Sequence, residues 1–269
     1  NMAYLVTAEP TTGLLVLVHE QAGTFVLDRN TKKSTTILFD NADLKVCTCA
    51  KIGVRIKEAG YEPEVLLACA MDDKQAWVFK YDTHNNSWHQ LLRCKGPKRI
   101  SCLDFSPDLC SIIAADSFGD IFHLRLSDYQ LPASLLIKDG SGDQHTNATK
   151  AHAEPTLVNP EKVLLTGHFS SILCAQLCTL TPQVTLLATA DRDNKVRISR
   201  YPDAFIIEQV CFGHTDMVTC LASIPCKQPT TVRVMSGSAD RSIILWDALT
   251  GDQRSLADLK NTSADGLVI

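Results

Sequence analysis

An all-β fold of repeated four-stranded sheets, a β-propeller, is what this sequence predicts, and three observations carry the expectation. Apolar runs such as Leu14 to Val18, Val65 to Met71 and Ser111 to Asp116 are strand-length and bounded by turn formers. Gly167-His168 recurs 46 residues later as Gly213-His214, each followed by an apolar run, an aspartate and an alternating run. The second copy closes on Ser236-Gly-Ser-Ala-Asp240-Arg-Ser-Ile-Ile-Leu-Trp246-Asp247. A Gly-His to Trp-Asp unit with a period of about 40–45 residues is the signature of a WD repeat. No such unit can bury both faces of its sheet alone, so the units must pack side by side.

From the N-terminus, Leu14 to Val18 and Thr24 to Leu27 flank Glu20-Gln-Ala-Gly23 as a hairpin. Val65 to Met71 turns at Asp72-Asp73-Lys74 into Ala76 to Phe79. Ile100 to Asp108, Ser111 to Asp116 and Gly119 to Leu124 read as three strands joined by turns. The units divide as 1–30, 31–81, 82–126, 127–200 and 201–249, and the tail from Gly251 starts a sixth. Arrays of this kind commonly close with seven blades. Residues 1–269 are therefore expected to form one propeller domain, incomplete at the C-terminus. Lys138 to Pro160 is rich in turn formers and reads as a polar loop insertion.

Composition narrows the function. The chain has 269 residues, 45% apolar and 21% charged, with a net charge of −4, which excludes a disordered or collagen-like polypeptide. It is not a basic nucleic-acid binder as a whole, so any phosphate contact must be local. No apolar stretch approaches the roughly 18 residues of a membrane span, and the N-terminus lacks the order of a secretion signal. Eleven cysteines, several inside apolar runs, point to small hydrophobes in a reducing compartment. Their spacing does not combine with histidines as a zinc site does. The tripeptides at Asn85, Asn147 and Asn261 are read as coincidences in turns. Metalloprotease, nucleophile-elbow, P-loop and dinucleotide motifs are all absent, so no catalysis, metal or cofactor is expected.

In the last repeat His214, Ser236, Asp240 and Trp246 fall where a WD unit builds a buried hydrogen-bonded tetrad. A catalytic Ser-His-Asp reading uses the same residue types, but the repeat spacing accounts for all of them. The preceding repeat breaks the pattern at Thr189-Ala-Asp-Arg192-Asp193-Asn-Lys195-Val-Arg197-Ile-Ser199. Aligned on Asp193 and Asp240, Ser199 replaces the tryptophan, and alternation puts Lys195, Arg197 and Ser199 on one face with Val196 and Ile198 on the other. Two cations on a packed strand of an otherwise regular array point to a partner. A second basic cluster, Arg93, Lys95, Lys98 and Arg99, suits phosphates or an acidic protein.

The run 189–199, with Cys211 to Val218, Ser236 to Trp246, Ala115 to Ile121 and Lys98-Arg99, resembles the Wuho family. These are the WD-repeat, non-catalytic subunits of the tRNA guanine-N7 methyltransferase. The resemblance covers roughly 65–250 and is specific around 187–220. It implies a seven-bladed propeller in the nucleus, and also the cytoplasm, that stabilises the catalytic methyltransferase subunit as a heterodimer and meets tRNA mainly through that complex. It also implies that Asp193, Lys195 and Arg197, with Arg192 at the turn, face acidic residues of the catalytic subunit. A substrate receptor or scaffold of a ubiquitin ligase is the rival reading. Such receptors often carry an arginine two residues past Trp-Asp, where this chain has Ala248-Leu249.

Overall fold

Twenty strands and no helix are found among the described residues, and the strands form five four-stranded antiparallel sheets. This computed structural model describes residues 47–55, 64–82, 85, 87–126, 162–181, 183–224 and 231–259 in full, and the first four strands by their backbone. Blade 1 is β1 (Tyr4–Glu9), β2 (Leu14–His19), β3 (Gly23–Asp28) and β4 (Ser34–Ile37). Blade 2 is β5 (Cys47–Arg55), β6 (Glu64–Met71), β7 (Gln75–Asp82) and β8 (Ser87–Lys95). Blade 3 is β9 (Ile100–Phe105), β10 (Ser111–Asp116), β11 (Asp120–Arg125) and β12 (Val163–Gly167). Blade 4 is β13 (Ile172–Thr181), β14 (Val184–Asp191), β15 (Val196–Tyr201) and β16 (Ile207–Cys211). Blade 5 is β17 (Val218–Ile224), β18 (Arg233–Ser238), β19 (Ser242–Asp247) and β20 (Gln253–Asp258).

Strands pair in chain order within each sheet, and the first strands β1, β5, β9, β13 and β17 adjoin one another in turn. That is the propeller arrangement. The sheet boundaries differ from the sequence division. Each Gly-His to Trp-Asp unit ends on the third strand of a sheet, so the fourth strand falls beyond it. The tail from Gly251 does not start a sixth blade: β20 pairs with β19 and completes the fifth. The polar stretch 138–160 lies outside the described residues, as do Asn147 and Asn261.

The core lies between blades. Ile112 packs with Leu66 and Val78 of blade 2, whereas its neighbour Ile113 packs with Ile172 and Leu187 of blade 4. Val196 and Ile198 face Val234, Ile244 and Trp246 of blade 5. A strand covered on both faces reads as a continuous apolar run, which is why β6 and β10 show so little alternation. Cys49, Cys102, Cys174 and Cys220 sit at one register position on successive inner strands, opposite Ala70, Ala115, Ala190 and Gly237. Burial pushes the Cys49 thiol up to about 12, so it packs uncharged. A polar staple joins three inner strands. Lys51 Nζ lies 3.3 Å from Asp104 Oδ1 and donates to Gln176 Oε1 at 2.9 Å, and Gln176 Nε2 donates to Asp104 Oδ2 at 2.8 Å.

The turn between the second and third strands is built alike in four blades. Lys74, Gly119, Asn194 and Arg241 occupy its left-handed position, with φ of 71°, 104°, 57° and 67°. Gly119 has a further constraint, because a Cβ there would lie 2.5 Å from His168 O and 2.7 Å from Ser170 O. Gly119→Ala is therefore expected to cost about 2–4 kcal/mol from backbone strain and overpacking combined. Thermal melting checks this against Gly167→Ala, whose Cβ would meet only Asp120 Oδ1 at 3.3 Å.

Glu64, at the start of β6, supplies a pH prediction. Burial opposes its charge, but Lys80 Nζ at 2.9 Å and the Arg55 guanidinium hold its pKa down at about 2, from 4.5. A folded value below the unfolded one gives stability that is complete above about pH 4.5 and lost as the pH falls toward 2. The wild-type melting temperature should fall more steeply across that window than that of Glu64→Gln.

Candidate functional site

Blade 5 shows how a regular repeat closes. Trp246 Nε1–H donates to Ser236 Oγ at 2.7 Å, and the Ser236 hydroxyl donates to His214 Nε2 at 2.7 Å. His214 Nδ1–H then donates to Asp240 Oδ2 at 3.0 Å, which sets the tautomer. Ser242 adds a fifth member, with its hydroxyl 3.0 Å from His214 Nδ1 and donating to Asp240 Oδ1 at 2.6 Å. Thr215 N also donates to Asp240 Oδ2, and these bonds outweigh burial to hold the Asp240 pKa well below the usual carboxylate range. Gly213 permits the close approach, since a Cβ there would lie 2.9 Å from the Trp246 ring.

Blade 4 departs from this plan. His168 Nδ1–H donates to Asp191 Oδ2 at 2.9 Å, and the Thr189 hydroxyl donates to His168 Nε2 at 3.0 Å. The carboxylate that meets the histidine is thus Asp191, not Asp193, the residue aligned with Asp240. Lys195 stands where blade 5 has Ser242, and an ammonium, unlike a hydroxyl, cannot accept from the imidazole. Asp193 is left exposed, and Asp191, at the end of β14, takes its place and accepts the Asp193 N–H at 3.0 Å.

The missing tryptophan has consequences. Ser199 is buried, and its hydroxyl has no hydrogen-bond partner among the described residues. Tyr201, two residues on, occupies the blade 3–4 boundary, its hydroxyl 3.1 Å from His123 Nε2 and 3.4 Å from Ser111 Oγ. Arg197 Nη1 donates to Gly167 O at 3.1 Å. Partial burial lowers the Arg197 pKa, and the nearby Asp191 charge works against that shift. Arg192 is exposed and Lys195 half-buried; neither side chain is in an ion pair or hydrogen bond with a described residue.

The second basic cluster is divided by the fold. Arg93 Nε donates to Gln75 Oε1 at 2.6 Å, and its guanidinium lies 4.6 Å from the Trp77 ring centroid, so it packs within blade 2. Lys95, Lys98 and Arg99 are exposed. Lys98 Nζ stands 4.0 Å over the exposed Phe118 ring. Lys162 joins them by donating to Lys95 O at 2.7 Å. Among the described residues no group of three or more His, Cys, Asp or Glu could hold a metal ion.

Residues 54–157 and 142–267 match the family model described as the tRNA methyltransferase TRM82 WD40 domain. The chain belongs to this TRM82 WD40 family. It is similar to the tRNA (guanine-N(7)-)-methyltransferase non-catalytic subunit wdr4 of Dictyostelium discoideum, 30% identical over 70% of this chain and 37% of that protein. The TRM82 subunit of Eremothecium gossypii is 28% identical over 72% of this chain and 36% of its own length. The trm82 subunit of Sclerotinia sclerotiorum is 30% identical over 73% and 42%. The chain thus spans well under half the length of these curated relatives. One chain in a crystal structure of the mitotic checkpoint complex superposes with a TM-score of 0.62 at 17% identity, over 94% of this chain and 63% of that one, which supports the fold alone.

Among the described residues of this TRM82 WD40 chain only blade 5 carries the complete tetrad, and blade 4 keeps its histidine without the tryptophan or the turn aspartate. The sequence reading did not find Asp191, Thr189 or Ser242 as tetrad members.

Proposed function

We propose that the chain is the non-catalytic subunit of a tRNA guanine-N7 methyltransferase. It binds and stabilises the catalytic subunit, and the two together form N7-methylguanosine in the tRNA variable loop. The observation that carries this reading is the blade 4 turn. Arg192, Asp193 and Lys195 stand there without an ion pair among the described residues, beside Arg197, in a blade whose tetrad tryptophan is replaced by Ser199. Carboxylates of the catalytic subunit would pair with these cations, and exclusion of water makes such pairs charge-assisted hydrogen bonds. Lys95, Lys98 and Arg99 extend the same positive field toward further carboxylates or toward tRNA phosphates, with tRNA held mainly through the complex. Arg93 is spent on blade 2. The complex works in the nucleus on this reading.

Reconstitution tests it. The catalytic subunit should form N7-methylguanosine in tRNA substantially faster with the full chain than without it, while the chain alone binds no S-adenosylmethionine by calorimetry. Equal rates with and without the chain, or cofactor binding to the chain itself, would overturn the proposal.

A further inference from the structure

Five links along one end of the propeller join residues far apart in sequence into a continuous rim. Ser117 N donates to Arg99 O, His168 N to Gly119 O and Arg192 N to Ser171 O, at 2.9, 2.9 and 3.2 Å. Arg197 Nη1 reaches Gly167 O, and Lys98 Nζ covers the Phe118 ring. The loop holding Phe169 is therefore flanked by the Phe118 turn on one side and by the Arg192–Arg197 segment on the other. Phe169 is fully exposed and Phe118 is 61% exposed. The Val196–Cys211 pairing brings Phe212, 68% exposed, next to Lys195. None of the three phenylalanines belongs to a core cluster.

Isolated exposed apolar residues are ordinary, but three exposed phenylalanines on loops of one rim, with cations between them, point to an interaction surface. The surrounding charge defines what covers it. Lys98, Arg99, Arg192, Lys195 and Arg197 interleave with the rings, none in an ion pair with a described residue, against two exposed carboxylates, Asp193 at the blade 4 turn and Asp216 beyond Phe212. On a chain of net charge −4 this is a local reversal of sign. Carboxylates alone would satisfy the cations and leave the rings in water, and an apolar surface alone would strand the cations.

We infer that Phe118, Phe169 and Phe212 are the apolar anchors of the subunit interface, and that they take an acidic, amphipathic segment of the catalytic subunit whose apolar side chains sit between its carboxylates. The inference rests on the reading that blade 4 binds that subunit. Buried aromatics at the centre of an interface supply a disproportionate share of affinity, and flanking charge pairs supply orientation and association rate.

The experiment measures the affinity of the full chain for the purified catalytic subunit at low and high salt, with melting of each variant. Phe169→Ser and Phe118→Ser should each weaken binding by about 10–100-fold at both salt concentrations. Their melting temperatures should match wild type, because these rings support no core. Phe169→Leu should retain most of the affinity. Phe205→Ser, also exposed but at the opposite end of blade 4, should bind as wild type. If Phe169→Ser binds normally while Arg197→Leu does not, the anchor assignment is wrong and the interface reading stands. If neither variant weakens binding, the interface reading itself fails. A concentration-dependent dimer of the free chain that Phe169→Ser abolishes would make a second copy the occupant and would also overturn the inference.

Discussion

Arg197→Leu is expected to weaken binding of the chain to the methyltransferase catalytic subunit by about 30- to several-thousand-fold, or roughly 2–5 kcal/mol, with a nearly unchanged melting temperature. The magnitude follows from leaving a partner carboxylate buried without its cation, which costs more than the pair itself contributes. The unchanged melting follows from the intramolecular role of Arg197, a single hydrogen bond to Gly167 O at 3.1 Å. A bond of that kind contributes about 1 kcal/mol, and leucine keeps the aliphatic packing of the stem. Arg233→Ala, an exposed cation at the other end of β18, is the control and should bind normally. Affinity by calorimetry beside thermal melting decides the matter.

Trp246→Ala is expected to destabilise the chain by about 3–5 kcal/mol, the range for removing a large buried aromatic. Trp246 is 1% exposed, packs against the blade 4 face through Val196 and Ile198, and holds Ser236 in the tetrad. Its loss opens a cavity between two blades and removes one donor from a network in which every other member is already engaged. Binding to the partner should fall only in proportion to unfolding. Ser199→Trp in blade 4 is not the mirror image, because Tyr201 already occupies that boundary with His123 and Ser111. A low melting temperature with normal affinity below it is the outcome that separates a structural tryptophan from an interface residue.

These two variants also mark where sequence was informative. Blade 5 was legible because its signature is complete, and His214, Ser236, Asp240 and Trp246 meet within 3.0 Å of their partners. In blade 4 the aspartate register slipped by two residues, since alignment counts positions whereas the histidine selects whichever carboxylate the turn delivers. The fourth strands were least visible. All six residues of β20 are exposed, so no alternation of polarity distinguishes them from a tail. The exposed phenylalanines were missed for the opposite reason. Phe169 follows a Gly-His pair and Phe118 precedes a glycine, where an aromatic looks the same in sequence whether it turns inward or out. The division of the Arg93 cluster required the Trp77 ring and Gln75 to be seen across the sheet.

On the proposed function, this propeller holds a methyltransferase subunit through the cationic turn of its fourth blade. Affinity purification of the tagged full chain from cells, followed by mass spectrometry, tests it most directly. The tRNA guanine-N7 methyltransferase catalytic subunit should be the dominant partner of the wild type and should be lost with Arg197→Leu. Recovery of a cullin adaptor without the methyltransferase, or of the methyltransferase equally with both chains, would contradict it.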